Sequence, residues 1–199
     1  ERNFLFKYYV KVVDLVRPRY FVMENVPNLL TAENGYFQKE IIDLFNSMGY
    51  SLNTGILNAA DFGVPQNRRR AVIIGKRDGE APALPVKAEQ RVTIWDAIGD
   101  LAYLKSGEGQ EEQQYADLPV SDYAKSLRGN MYVLHNHVAT KHSKLALERL
   151  ALIPPNCGSV VLPDEHLSKS FYSSTWSRMI KDAISVSITT RFDTSSSGR

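Results

Sequence analysis

Between residues 5 and 77 the hydrophobic pattern alternates between helical and strand period, and that alternation restricts the fold more than any other feature of the chain. Leu5, Tyr9, Val12, Val13 and Val16 recur at spacings of three and four, as on one face of an amphipathic helix. Pro18 ends that helix, because the residue before a proline is pushed out of the helical region. Tyr20-Phe21-Val22-Met23 follows, an apolar run long enough for a buried strand. Residues 36–48 return to the helical period, with Phe37, Ile41, Leu44, Phe45 and Met48 inward and Gly49 placed to end the helix. Residues 50–58 read as a strand, 61–65 as a turn and 70–75 as another strand. Helix, strand, helix, strand, strand is an α/β pattern with an antiparallel element at its end.

After Arg77 the texture changes. Asp78-Gly79-Glu80 with Pro82 and Pro85 reads as a linker. Residues 94–104 suit a short helix, the acidic stretch beyond them a loop, and 144–152 a helix that runs until Pro154-Pro155. The remainder is irregular and rich in Ser, Pro and Thr. The expected division is therefore a first domain over 1–77 and a small, loop-rich second domain over 78–199, with no internal repeats.

An apolar content of 43% supports a packed core, and no apolar run approaches the ~20 residues of a membrane helix. The single cysteine, Cys157, excludes an internal disulfide framework and a thiolate-rich zinc site, so the expected setting is reducing and cytoplasmic. The chain opens on Glu1 without a signal peptide, and reads as a piece of something longer. A net charge of +2 is too small to indicate nucleic acid, but its distribution is uneven. Residues 106–124 hold Glu108, Glu111, Glu112, Asp117 and Asp122 and no Lys or Arg. Residues 125–149 hold Lys125, Arg128, Lys141, Lys144 and Arg149 against Glu148 alone. With the knot Arg68-Arg69-Arg70, this pattern suits an anionic partner that touches the basic segments and avoids the acidic one. Two solvated faces would produce the same distribution.

Two clusters carry chemistry. The strand at 20–23 runs into Glu24-Asn25-Val26-Pro27, and the C-terminal end of a strand in an open α/β sheet is where ligands bind. Burial there would raise the Glu24 pKa and let it share a proton with a substrate nitrogen, although an arginine partner or a capping role is the commoner fate of such a residue. The second cluster, Gly63-Val64-Pro65-Gln66-Asn67-Arg68-Arg69-Arg70, enters the strand at 71–75. Strand alternation puts Arg68 and Arg70 on one face and Arg69 on the other. Two guanidiniums on one face hold a phosphate, a carboxylate or a carbonyl through forked hydrogen bonds, or simply form a basic strand edge.

Taken in order, Arg2-Asn3-Phe4-Leu5-Phe6, Phe21-Val22-Met23-Glu24-Asn25-Val26-Pro27 and Gly63 to Arg70 resemble the C5-cytosine DNA methyltransferase family. The resemblance continues in Thr93-Ile94-Trp95-Asp96-Ala97-Ile98, in His137-Val138-Ala139, and in Ser187-Ile188-Thr189-Thr190-Arg191-Phe192. It is loose between residues 106 and 131. It implies the C-terminal half of a Rossmann-like methyltransferase sheet followed by a target-recognition domain, short as in bacterial or phage enzymes. It also implies an enzyme that flips a cytosine out of double-stranded DNA and methylates it from S-adenosylmethionine. In that scheme a cysteine attacks C6, while Glu24 bonds ring N3 and the exocyclic amine. Arg70 contacts O2, Arg68 helps hold the carboxylate and nearby phosphate, and Asn25 shapes the turn. Leu5 lines the cofactor pocket. Gln66, Lys141, Lys144, Thr189, Thr190 and Arg191 are the expected nucleic-acid contacts, and no metal is implied.

The family's Gly-rich cofactor loop and Pro-Cys nucleophile turn precede the segment that this chain matches, so the chain alone is expected to be inactive. Two other readings fit the same residues: a tRNA-directed relative, and a non-catalytic binding module or half of a split methyltransferase. Cys157 sits in Pro154-Pro155-Asn156-Cys157-Gly158, with no strand end or helix N-terminus to activate it. His135, His137 and His142 have no Cys or carboxylate at ligand spacing, the nearest acid being Glu148. Trp95 and Trp176 are expected to pack rather than to stack on bases. If Cys157 is a bystander, Cys157→Ser in the full-length protein leaves the methylation rate within about a few-fold of wild type. A loss of about three orders of magnitude or more would make it the nucleophile.

Overall fold

The computed structural model of the 199-residue chain describes residues 5–101, 103–167, 176–188, 190 and 192–194. Two compact units emerge, one formed by 1–62 with 68–89 and the other by 63–67 with 90–199.

The first unit contains helices α1 (Phe6–Val16), α2 (Asn28–Thr31) and α3 (Tyr36–Ser47) and strands β1 (Tyr20–Asn25), β2 (Tyr50–Asn58) and β4 (Arg69–Arg77). Between the last two strands in sequence comes β3 (Gln66–Asn67), which belongs to the second unit. The sheet order is β1-β4-β2 with both pairings antiparallel, so the last strand of this unit fills its centre. Alternation along β1 and β4 turns Phe21, Met23, Ala71 and Ile73 to the core, where they meet Phe37, Ile41 and Phe45 of α3. The Phe21 ring lies 4.3 Å from that of Phe45 and 5.3 Å from that of Tyr50.

Gly75 pairs with Phe21 across β1 and β4, and a Cβ there would stand 2.1 Å from the Phe21 ring. A glycine inside a strand usually costs about 0.5–1 kcal/mol relative to alanine. Burying a phenylalanine contributes about 1.5–3 kcal/mol, so the ring's position decides the residue. Gly49 follows α3 in the left-handed region at φ 83°, which returns the chain into β2.

The α1 helix forms as expected but turns a different face inward. Its buried residues are Phe6, Val10 and Val13, with Tyr9 partly covered, whereas Val12 is 57% exposed and Leu5 and Val16 are exposed too. Apolar residues occupy most of the circumference of this helix, so spacing did not single out the face. The larger Phe6 takes the core. The expected boundary near residue 78 also moves. Asn53 donates from Nδ2 to the carbonyls of Ala81 and Pro82, at 3.3 and 2.9 Å. Ala88 N–H donates to the Asp61 carbonyl at 2.8 Å. The proline-rich segment is thereby tied to the first unit as far as Glu89.

In the second unit, β3 pairs in parallel with β7 (Ser185–Val186), matching Gln66 to Ser185 and Asn67 to Val186. Helix α4 (Ile94–Ile98) is shorter than expected, and α6 (Lys144–Leu152) spans the expected residues. The acidic stretch is not a loop. Its residues 109–114 form β5 (Gly109–Gln114), which pairs antiparallel with β6 (Val133–Val138) across the short helix α5 (Asp122–Arg128). A small core gathers Ala146, Ile153, Leu162 and Trp176. Trp95 is half-buried, with Lys181 Nζ 3.7 Å from its ring centre. No helix among the described residues is long and apolar enough to cross a membrane.

Helix α4 starts in a capping box, in which the Thr93 hydroxyl accepts from Asp96 N–H and Asp96 Oδ2 accepts from Thr93 N–H at 2.8 Å. The Thr93 hydroxyl and backbone together hold the Asp96 carboxyl below the usual carboxylate range. A carboxyl depressed by folding stabilises the fold above its unfolded pKa and loses that contribution as pH falls through its folded one. Thr93→Ala should therefore destabilise the second unit by about 1 kcal/mol at pH 7. The gap to wild type should narrow, without closing, at an acid pH where the Asp96 carboxyl protonates, because the bond from Asp96 N–H to the Thr93 hydroxyl does not titrate. Both tryptophans lie in this unit, so urea denaturation followed by their fluorescence at the two pH values checks it.

Candidate active site and nucleic-acid surface

Strand β1 turns Phe21 and Met23 inward, so Glu24 points to the opposite face of the sheet at the strand's C-terminal end. In the antiparallel register Glu24 stands opposite Val72 and Asn25 opposite Ala71. Arg70 has the parity of Val72, and two residues along it reaches Glu24. Arg70 Nε donates to Glu24 Oε1 at 2.8 Å, and its Nη1 donates to the Arg69 carbonyl at 2.8 Å. Among the described residues Glu24 Oε2 has no hydrogen-bond partner. The result is a carboxylate fixed in orientation by a charge-assisted bond, with one oxygen free to accept.

Two expectations change here. Glu24 is not buried: its side chain is 53% exposed, and its neighbour is a guanidinium, not an apolar wall. The arginine that holds it is Arg70, 24% exposed, and Arg68 makes no bond to it. Arg68 occupies the step between β3 and β4, half-buried, and its carbonyl accepts from Ala59 N–H at 3.0 Å. Arg69 is exposed.

Asn25 bends the chain after β1, its Oδ1 accepting from Val26 N–H at 2.8 Å. Leu5 and Asn25 converge on one cavity of about 150 Å³, shared with Phe6, Val26, Leu29 and Phe37. Complete small-molecule sites run to about 300–1,000 Å³. With the amides of Asn25 and Asn28 beside its apolar side chains, this recess has a mixed lining and is smaller than such a site.

In the second unit Gln66 lies in β3, held by backbone pairing to Ser185. Lys141 is exposed, and Lys144 is 93% exposed with Glu148 Oε1 3.9 Å away. Thr190 is exposed, while Thr189 and Arg191 lie outside the described residues. Two cations of the basic segment turn inward. Arg128 Nη1 donates to the Asp117 carbonyl at 2.7 Å, its guanidinium lies 3.9 Å from the Tyr115 ring centre, and it stands 3.8 Å from the buried Asp100. Arg149 lies over Trp176 at 5.5 Å.

Cys157 is partly buried against the second core. His135 does have a carboxylate beside it: β5 brings Glu112 Oε1 within 3.7 Å of its Nδ1, a neighbour the linear sequence conceals. Among the described residues no three His, Cys, Asp or Glu side chains cluster as metal ligands. The polar ribbon of β5 and β6 escaped sequence reading because it lacks the apolar alternation that marks a strand. The signal that was present is the Val-x-His-x-His period of residues 133–137.

The fold aligns with a solved structure described as a DNA modification methyltransferase encoded within an E. coli prophage, at TM-score 0.62 and 18% identity. The alignment covers 94% of this chain and 57% of that one, and it gives the chain a Rossmann-like α/β fold. Residues 1–184 match the C-5 cytosine-specific DNA methylase model, and the chain belongs to that family. The type II methyltransferase M1.HphI of Haemophilus parahaemolyticus is 39% identical over 153 residues, 76% of this chain and 35% of that protein. M.XorII of Xanthomonas oryzae pv. oryzae is 37% identical over 175 residues, 78% of this chain and 41% of that protein. The chain thus spans about two fifths or less of these curated relatives.

A surface ion pair contributes at most about 1 kcal/mol, because solvent screens it. Glu24→Ala and Arg70→Ala should each leave urea stability, followed by circular dichroism, within about 1 kcal/mol of wild type. A larger loss would make the pair part of the folding core.

Proposed function

We propose that the protein carrying this chain is a cytoplasmic enzyme that transfers a methyl group from S-adenosylmethionine to C5 of a cytosine flipped out of double-stranded DNA. The observation that carries this reading is the Glu24–Arg70 pair at the C-terminal end of β1, in a chain of the C-5 cytosine methylase family. The pair offers a flipped cytosine complementary groups: a carboxylate oxygen for the N3 and amine edge, and guanidinium N–H groups for O2. As charge develops on the ring, a pre-oriented ion pair stabilises it without reorganising.

Other residues support that chemistry. Asn25 shapes the strand end, and Leu5 and Phe6 would seat part of the cofactor, which supplies the methyl group. Arg68 is assigned to the phosphate beside the target base. Gln66, Lys141, Lys144, Thr189, Thr190 and Arg191 are assigned to DNA. The thiol that attacks C6 is not assigned to Cys157, which packs on the second core. The first unit supplies the catalytic groups and the second the target-recognition surface.

The arginine triplet tests the assignment, because composition cannot separate three identical side chains and strand period can. Loss of a charged donor in a catalytic site costs ~2–4 kcal/mol of transition-state stabilisation, roughly a hundredfold or more in rate. In the full-length protein Arg70→Ala should remove most turnover and Arg68→Ala should be severe, while Arg69→Ala stays mild. Arg70→Lys should not rescue, since one ammonium cannot reproduce a fork of fixed geometry. Single-turnover methylation of a hemimethylated duplex decides it. If Arg69→Ala is the most damaging, the assignment of Arg70 fails.

A further inference from the structure

An ion pair screened by solvent is too weak to hold a long side chain in one direction by itself. The Arg70 side chain is nevertheless only 24% exposed, although that of Glu24 is 53% exposed, so other residues cover the arginine. The antiparallel register identifies its neighbour on the side away from Glu24. Leu57 of β2 stands directly opposite Arg70, and Gly55 stands opposite Val72, which on its other side faces Glu24. Directly opposed residues share a face with Cβ atoms about 5 Å apart, within reach of a leucine and an arginine stem.

Gly55 leaves a gap in that face, and the proline-rich segment fills it. A Cβ at Gly55 would stand 2.5 Å from Leu84 Cδ1 and 3.9 Å from Leu57 Cδ2, so both leucines crowd the same vacant position. Leu84 is half-buried, whereas Pro82, Ala83, Pro85 and Val86 around it are exposed. The segment is fastened on both sides of this leucine. Asn53, on the same face of β2 as Gly55, binds the Ala81 and Pro82 carbonyls. Beyond Leu84, Lys87 Nζ lies 2.9 Å from Asp61 Oδ2, beside the bond from Ala88 N–H to the Asp61 carbonyl. Pro82 and Pro85 restrict the backbone on either side, which lowers the entropy lost in holding Leu84 down. Glycine weakens a strand interior and marks a place where another segment approaches closely.

These contacts form a line across the outer face of the sheet. Leu84 backs Leu57, and Leu57 closes the side of Arg70 that looks toward β2. The guanidinium then leans toward β1, where Nε meets Glu24 Oε1 and Nη1 meets the Arg69 carbonyl. With the leucines gone, the arginine stem could swing into the space above Gly55 and carry its donors away from Glu24. A displacement of about 1 Å is enough to slow a reaction that depends on oriented donors.

We infer that Leu57 and Leu84 are positioning residues for Arg70, so that the proline-rich segment is part of the catalytic apparatus and not a linker alone. This rests on the activity proposed above. The test follows single-turnover methylation of a hemimethylated duplex by the full-length protein, with S-adenosylmethionine affinity measured on each variant by calorimetry. Leu57→Ala and Leu84→Ala should each slow methyl transfer about tenfold or more. Cofactor affinity should stay within about twofold, since only the transition state loses an interaction. Leu57→Met and Leu84→Met, which refill the space, should return the rate to within about threefold of wild type. In an Arg70→Ala background, where no guanidinium remains to be held, Leu57→Ala should change the residual rate by less than about twofold. If the leucine variants fold poorly, Gly55→Ala replaces them, because its Cβ unseats Leu84 without emptying the face. It should slow the otherwise wild-type protein and add little to Leu84→Ala, which vacates the space. Penalties that are equal with and without the partner residue overturn this inference alone. So do rates that no variant moves, methionine variants as slow as the alanine ones, or a loss of cofactor affinity that accounts for the rate. A wild-type protein that methylates no duplex overturns the proposed activity, and this inference with it.

Discussion

The contact of the Phe21 ring with the bare backbone at Gly75 fixes the register of the sheet, and the site depends on that register. Side chains alternate along a strand, so a slip of one residue between β1 and β4 would exchange the two faces. Arg69 would then come toward Glu24, and Arg70 would turn into the helices. Only glycine leaves room for the ring, whose place is set by Phe45 and Tyr50. A packing event on the core face thus determines which guanidinium meets the carboxylate on the other.

Much of the first unit was legible because its helices and strands bury large side chains at regular intervals. The Phe37, Ile41, Phe45 spacing and the apolar runs of β1 and β4 left few alternatives. The inward face of α1 was not legible, since a helix apolar around most of its circumference can be turned by its neighbours. The site was legible as residue types, and as parity for Arg70. The exposure of Glu24, and the choice of Arg70 over Arg68 as its partner, depend on cross-strand register, which one sequence does not display.

Charge counting proved the weaker guide. The linear sequence gives residues 125–149 a basic character, but Arg128 is used to tie Tyr115, Asp117 and Asp100 together, and Arg149 to cover Trp176. What remains on the surface is a few lysines, among them Lys125, Lys141 and Lys144. The same pairing that hides two cations gives His135 an acidic neighbour and turns an apparent loop into a strand. Composition along a chain describes a partner surface only after its strands have been paired.

The parallel pair of β3 and β7 has a consequence for how such proteins diversify. Residues 63–67 interrupt the first unit in sequence yet belong to the second, where they are joined by Ser185 N–H on the Pro65 carbonyl and Ser187 Oγ on the Asn67 carbonyl. Of these bonds, the backbone ones require no particular side chain, and the other asks only for a hydroxyl. A graft that replaced everything after residue 90 would still find its docking strand already present in the host. The seam is written in a script that nearly any sequence can complete, which leaves the residues after it free to be exchanged while Arg68, Arg69 and Arg70, next in the chain to β3, stay in place.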